Sequence, residues 1–173
     1  MLSRISRAVF MTALGLSCVV PTIQSAYAAL GGSPMTPPAG ASVNSQAVSS
    51  AAVAHAAASS AASTASTPSS YTVRTTTFGN GTVVREYLAQ DGTVFGLAWN
   101  GPQMPNLNDL LGTYFPQYLA GVQAARAVRG GHGPVAVDQD SLVVHSGGHM
   151  GAFAGQAWLP QALPAGVSGS DIQ

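Results

Sequence analysis

The amino-acid sequence predicts an α+β domain, one antiparallel sheet with a single Pro-kinked helix across one face. Three observations carry that expectation. Between residues 71 and 100, β-branched and aromatic runs are divided by Gly79-Asn80-Gly81 and Asp91-Gly92, the punctuation of a three-strand meander. Between residues 107 and 122, apolar residues recur at helical spacing. From Ser141 to Pro160 the text returns to strand residues around glycines, as in a C-terminal hairpin. Strands, then a helix, then strands is the order of a two-layer α+β fold.

The chain opens as a targeting signal. Arg4 and Arg7 form a basic start, and residues 8–20 are apolar but too short and too early to span a bilayer. Ala26-Tyr27-Ala28 fits the small-x-small rule and places cleavage between Ala28 and Ala29. Acylation at Cys18 is the competing reading, but Gly15-Leu16-Ser17 lacks the large aliphatic residue expected three positions before it. Cleavage leaves no cysteine, so no disulfide can form even in an oxidising compartment. With no second apolar stretch of spanning length, the exported chain is expected to be soluble in the periplasm or outside the cell.

Residues 29–70 are expected to be a disordered Ala/Ser-rich tether. No charged side chain occurs between Ala8 and Val73, and residues 39–70 are mostly Ala, Ser and Thr, with little to bury against the entropy of ordering. His55, alone in this tract, receives no role. Residues 71–173 are then the single folded domain, long enough for one modest core.

Strands are expected over 71–78, 82–89 and 93–100, with Phe95, Leu97 and Trp99 sharing the core face of the third. Asn106 is a good N-cap, and Asp109 favours the positive end of the helix dipole. Leu107, Leu110, Leu111, Tyr114, Phe115, Tyr118, Leu119 and Val122 form one stripe, read as core. Pro116 inside a helix would press on the Gly112 carbonyl at a cost of about 3 kcal/mol, so a kink or restart is expected near 112–115. Gly130-Gly131 stops the helix, residues 131–139 are a loop, and residues 160–173 are a tail expected to wrap the sheet and end frayed.

The hairpin decides the sharpest chemical question. If Ser146-Gly147-Gly148 is the loop, His145 and His149 face each other with Cβ atoms about 5 Å apart. If only Gly147-Gly148 turns, His145 faces Met150 and the pair is lost. A metal site would draw on His145, His149 and His132, three imidazoles leaving a position for water, as in a metal-dependent hydrolase. The spacing lacks HExxH and an obvious supporting acid, and a cross-strand polar pair is the plainer reading. Ser146 lies outside any GxSxG context. Glu86 and Asp91, divided by a turn, do not form an acid–base pair, and no glycine-rich loop precedes a helix as phosphate binding requires. No catalytic residue and no cofactor is therefore assigned.

Residues 29–173 carry Arg74, Arg85, Arg126 and Arg129 against Glu86, Asp91, Asp109, Asp138, Asp140 and Asp171, with no lysine. That near-neutral balance argues against a nucleic-acid or anionic-membrane partner. A binding module is the favoured class: Phe153 and Trp158 are candidate contacts for an envelope protein or glycan partner.

Several motifs occur together in order: Ala29-Leu30-Gly31-Gly32, Val84-Arg85-Glu86-Tyr87, Val94-Phe95, Trp99-x-Gly101-Pro102, Asp109-Leu110-Leu111-Gly112, Tyr114-Phe115, and Gly148-His149-Met150-x-Ala152-Phe153-Ala154-Gly155. With them the chain resembles the small exported bacterial proteins grouped as domain of unknown function 2844, over residues 71–173 and the Ala-Leu-Gly-Gly start. It departs at Gly151, where an arginine is expected in relatives. The resemblance implies export and a single domain, and it implies no activity.

Overall fold

A computed structural model of the chain describes residues 30–49, 70–129 and 133–173. The expected leader, its cleavage point at Ala28 and Ala29, Cys18 and His132 lie outside these residues. The described chain is α+β: a seven-stranded, wholly antiparallel sheet with a helical segment. Its strands are β1 (Ser42–Ser49), β2 (Ser70–Thr77), β3 (Val83–Leu88), β4 (Val94–Gly101), β5 (Val135–Asp138), β6 (Val143–His149) and β7 (Ala152–Trp158). Their order across the sheet is β1-β2-β3-β4-β7-β6-β5.

Two of these strands depart from the expected plan. β1 lies in the stretch read as tether and pairs with β2 along its whole length, from Ser42 opposite Thr77 to Ser49 opposite Ser70. Its small polar residues show no apolar period, so backbone pairing, which no side-chain pattern announces, is what places it. β5 lies in the expected 131–139 loop, where four residues are too few to show alternation.

The segment before β1 is also part of the fold. Leu30 is fully buried in the main core, and the backbone N–H groups of Leu30, Gly31 and Val94 donate to the carbonyls of Leu110, Val94 and Gly32 respectively. Met35 is held by both of its backbone polar groups: its N–H donates to Glu86 Oε1 at 2.6 Å, and its carbonyl accepts from Arg74 Nη1 at 2.8 Å. The folded unit therefore begins well before Tyr71.

Between β3 and β4 the chain turns at Asp91-Gly92. Asp91 Oδ1 accepts from the Thr93 N–H at 2.9 Å, and Gly92 takes φ +83°. Those hydrogen bonds hold the Asp91 carboxyl below its ordinary value.

A bulge at Phe95 then changes which face each residue of β4 reaches. Leu88 pairs with Val94 and Tyr87 with Gly96, leaving Phe95 as the extra residue. Strict alternation would have put Phe95 beside Leu97 and Trp99. Instead Val94, Leu97 and Trp99 enter the helix-side core, while Phe95 and Ala98 join Tyr71, Tyr87 and Ile172 on the other face.

The helix is not a single kinked rod. α1 (Leu107–Leu111) is capped by the Asn106 side chain, which accepts from the Asn108 N–H at 3.1 Å. A 3-10 turn over Gly112–Tyr114 follows, then α2 (Phe115–Arg129). Pro116 is the second residue of α2, in the first turn, where a missing N–H loses no intrahelical bond. The break falls upstream, on Gly112. Leu110, Leu111, Tyr118 and Val122 are buried, but Leu119 is 43% exposed and leaves the expected stripe. A Cβ on Gly121 would sit 2.5 Å from Val137 Cγ1, so this glycine lets α2 lie directly on β5.

The opposite face has its own cover. After β7 the chain crosses back, and Ile172 is completely buried against Tyr71, Tyr87 and Phe95. Gln173 donates through its N–H to Tyr87 Oη and accepts from the same hydroxyl, each at 2.9 Å. Ser168 and Asp171 close a capping box over the last turn. The tail is tied down where fraying was expected, because Ile172 is buried in the second core and Leu163 and Val167 pack against it.

Candidate functional site

The tail packs on the part of its face around Tyr71, Tyr87, Phe95, Ala98 and Trp158. Beside it, strand register brings a transverse row to the same face. Arg85 on β3 stands opposite Ala98 on β4, Ala98 opposite Gln156 on β7, and Gln156 opposite His145 on β6. Residues opposite each other in a ladder share a face, so Arg85, Gln156 and His145 lie on one face with the buried Ala98 of β4 between Arg85 and Gln156.

A shallow cavity of about 410 Å³ lies along part of this row, lined by Arg85, Asn100, Ala154, Gln156 and Gln173, with Trp99 and Gly155 at its floor. Arg85 Nη1 donates to Asn100 Oδ1 at 3.4 Å and to the main-chain oxygen of the last residue, Gln173, at 3.3 Å, both at the long end for such bonds. The groove thus offers one guanidinium and several amides, and neither a nucleophile with an adjacent base nor a carboxylate pair.

The expected histidine pair is not assembled. The β6–β7 turn is Met150-Gly151, with Gly151 at φ +86°, so Gly147 and Gly148 belong to the strand. His149 stands opposite Ala152, and His145 opposite Gln156. The two histidines lie four residues apart on one strand, about 13 Å along it at strand rise. Each has another contact: His145 Nε2 is 2.7 Å from Asp138 Oδ1, and His149 Nδ1 is 3.1 Å from the Met150 carbonyl. Among the described residues no three His, Cys, Asp or Glu side chains come together as metal ligands would. Gly148 was misread as turn because glycine also serves close approach: a Cβ there would sit 2.7 Å from the Phe153 Cα.

The aromatic candidates separate as well. Trp158 packs in the second core, its ring against Gly169 and edge-on to His145 at 5.4 Å between centroids. Phe153, half-buried, stands opposite Gly101 and Gly148 on the other side of the sheet. They form no common platform.

Glu86 is the one acid buried completely, and its surroundings are structural. Its Oε1 is taken by Met35, and its Oε2 lies 3.5 Å from Arg74 Nη1 without a proper hydrogen bond. Burial pushes its carboxyl above the ordinary value, against the lowering effects of the Met35 N–H and of Arg74. Asp91 is far away in its turn, so the two acids are not partners.

The groove was missed because its residues are scattered through the sequence and meet only through register. The one local signal, Arg85 alternating with Val84 and Glu86, does not say which neighbours a strand will acquire.

No helix among the described residues is long and apolar enough to cross a membrane. No curated protein and no solved structure matches the chain. A family model does match, over residues 26–172, from just before the expected mature start to the penultimate residue. The chain belongs to that family, described as protein of unknown function (DUF2844).

Proposed function

We propose that the chain is an exported, non-catalytic binding module of the cell envelope, and that its groove beside Arg85 takes a carboxylate-bearing ligand. The observation that carries this reading is the state of Arg85. Its two contacts, at 3.3 and 3.4 Å, are long, and a carboxylate could replace both with short charge-assisted bonds. Asn100 and Gln156 add neutral donors and acceptors on either side. In this reading the meander β2–β4 and the hairpin β6–β7 form the two halves of the ligand-bearing surface. Export is supported by the basic, apolar, small-x-small order of residues 1–28. The partner is an envelope protein or glycan carrying an acidic group.

The test is calorimetric titration of the purified protein with acidic peptides and uronic-acid oligosaccharides. Arg85→Ala is expected to weaken binding about 10-fold or more, the scale of a hydrogen bond to a charged group. Equal affinity in the variant would overturn the reading. N-terminal sequencing of envelope protein should begin at Ala29, and a chain retaining residues 1–28 would refute export by cleavage.

A further inference from the structure

The two edges of the sheet are built differently. β5 is guarded: it is four residues long, follows Pro134, ends in Asp138 and lies under α2 at Gly121. β1, the other edge, runs eight residues with no proline, glycine or charge. Residues 42–47 are exposed, Val43 among them at 43%. Among the described residues only β2 pairs with this strand, and while Val48 packs against the second core, residues 42–47 bury little in return for the cost of ordering them.

We propose that two copies of the chain pair through β1, antiparallel about a two-fold axis at Ser45, joining their sheets into one of fourteen strands. The register is self-complementary. With Ser45 opposite its own copy, Val43 meets Ala47, Asn44 meets Gln46 and Ser42 meets Val48. Apolar faces apolar and amide faces amide at the inner positions. Moving the axis to Gln46 would instead set Asn44 against Val48 and Val43 against Ser49. The strand has no charge by which a foreign partner could be selected or its own copy repelled, and a two-fold pairing uses up the edge on both sides. This surface is separate from the groove: β2 intervenes between β1 and Arg85.

Sedimentation of the full chain over a concentration series should show a monomer–dimer equilibrium. In a Cys18→Ser background, Ser45→Cys should cross-link to a covalent dimer under mild oxidation, while Ala136→Cys on β5 stays monomeric. Val43→Lys with Ala47→Lys sets lysines opposite each other and should shift the equilibrium to monomer, with circular dichroism unchanged. Mixing the single variants Val43→Lys and Ala47→Glu should favour the heterodimer over either homodimer, because the register sets those positions opposite. A monomer at every concentration, failure of Ser45→Cys to cross-link, or slow amide exchange along the outer edge of β1 in a monomer would overturn the proposal. The last of these would mean that the chain covers its own edge.

Discussion

The two faces of the sheet use the same strands and solve different problems. The helix-side face is continuous and dry: Val84, Leu97, Trp99, Val144 and Ala157 meet Leu110, Leu111 and Tyr118. The opposite face is divided, apolar under the tail around Ile172 and polar beyond it around Arg85 and Gln156. One extra residue at Phe95 makes the division possible, since it sends the largest ring at the start of β4 to the tail side without losing Leu97 and Trp99 from the helix side. The lesson is that face assignment along a strand is a local property, and a bulge resets it.

The comparison predicts a graded response to truncation. Trp99→Ala on the continuous face should cost about 3–5 kcal/mol, the range for a large buried aromatic. Ile172→Ala on the divided face should cost about 2–4 kcal/mol and release the tail, read as loss of protection at residues 160–173 in hydrogen exchange. Equal losses of protection in both variants would show that the two cores unfold as one unit and that the division is only geometric.

The polar pairs of the two faces sharpen the contrast. On the helix side Glu86 is fully buried, and its carboxyl is raised by that burial. A raised carboxyl binds its proton more tightly folded than unfolded, so it lowers stability as pH rises from the ordinary 4.5 through the folded value. Falling pH across the same window removes the penalty. Chemical denaturation at a series of pH values should therefore show the protein gaining stability relative to Glu86→Gln on acidification. A difference that is flat, or that runs the other way, would mean Arg74 outweighs the burial. Arg74→Met should steepen the effect, because it leaves the carboxylate buried without its cation.

The sequence is most informative where side chains make the pattern. The α+β class, the antiparallel sheet and the buried stripe of Leu110, Leu111, Tyr118 and Val122 could all be read from periodicity. What could not be read is what backbone does. β1 is placed by a ladder rather than by burial, and Leu30 and Met35 are two isolated apolar residues whose hydrogen-bond partners lie 39 or more positions away. Gly147-Gly148 and Met150-Gly151 are both plausible turns, and only pairing with β7 chooses between them. The same choice separates the two histidines and sets His145 opposite Gln156, whereas the groove rests on the β3–β4 and β4–β7 registers.

The smallest expected effect belongs to the exposed pair on the divided face. His145 and Asp138 are 2.7 Å apart, with side chains 41% and 64% exposed, and solvent screening leaves such a pair little net worth. The edge-on contact with Trp158 is the other interaction that His145→Ala removes. The substitution should cost at most about 1 kcal/mol, the scale of a cross-strand contact, and should leave the metal content of the purified protein unchanged. It should also leave binding in the groove within a few-fold of the parent, since Gln156 stands between His145 and Arg85. One equivalent of zinc carried through dialysis, and lost in both His145→Ala and His149→Ala, would show that the two imidazoles act together despite their separation along β6. That result would require a β6–β7 register different from the one observed, in which His149 stands opposite Ala152 and His145 opposite Gln156.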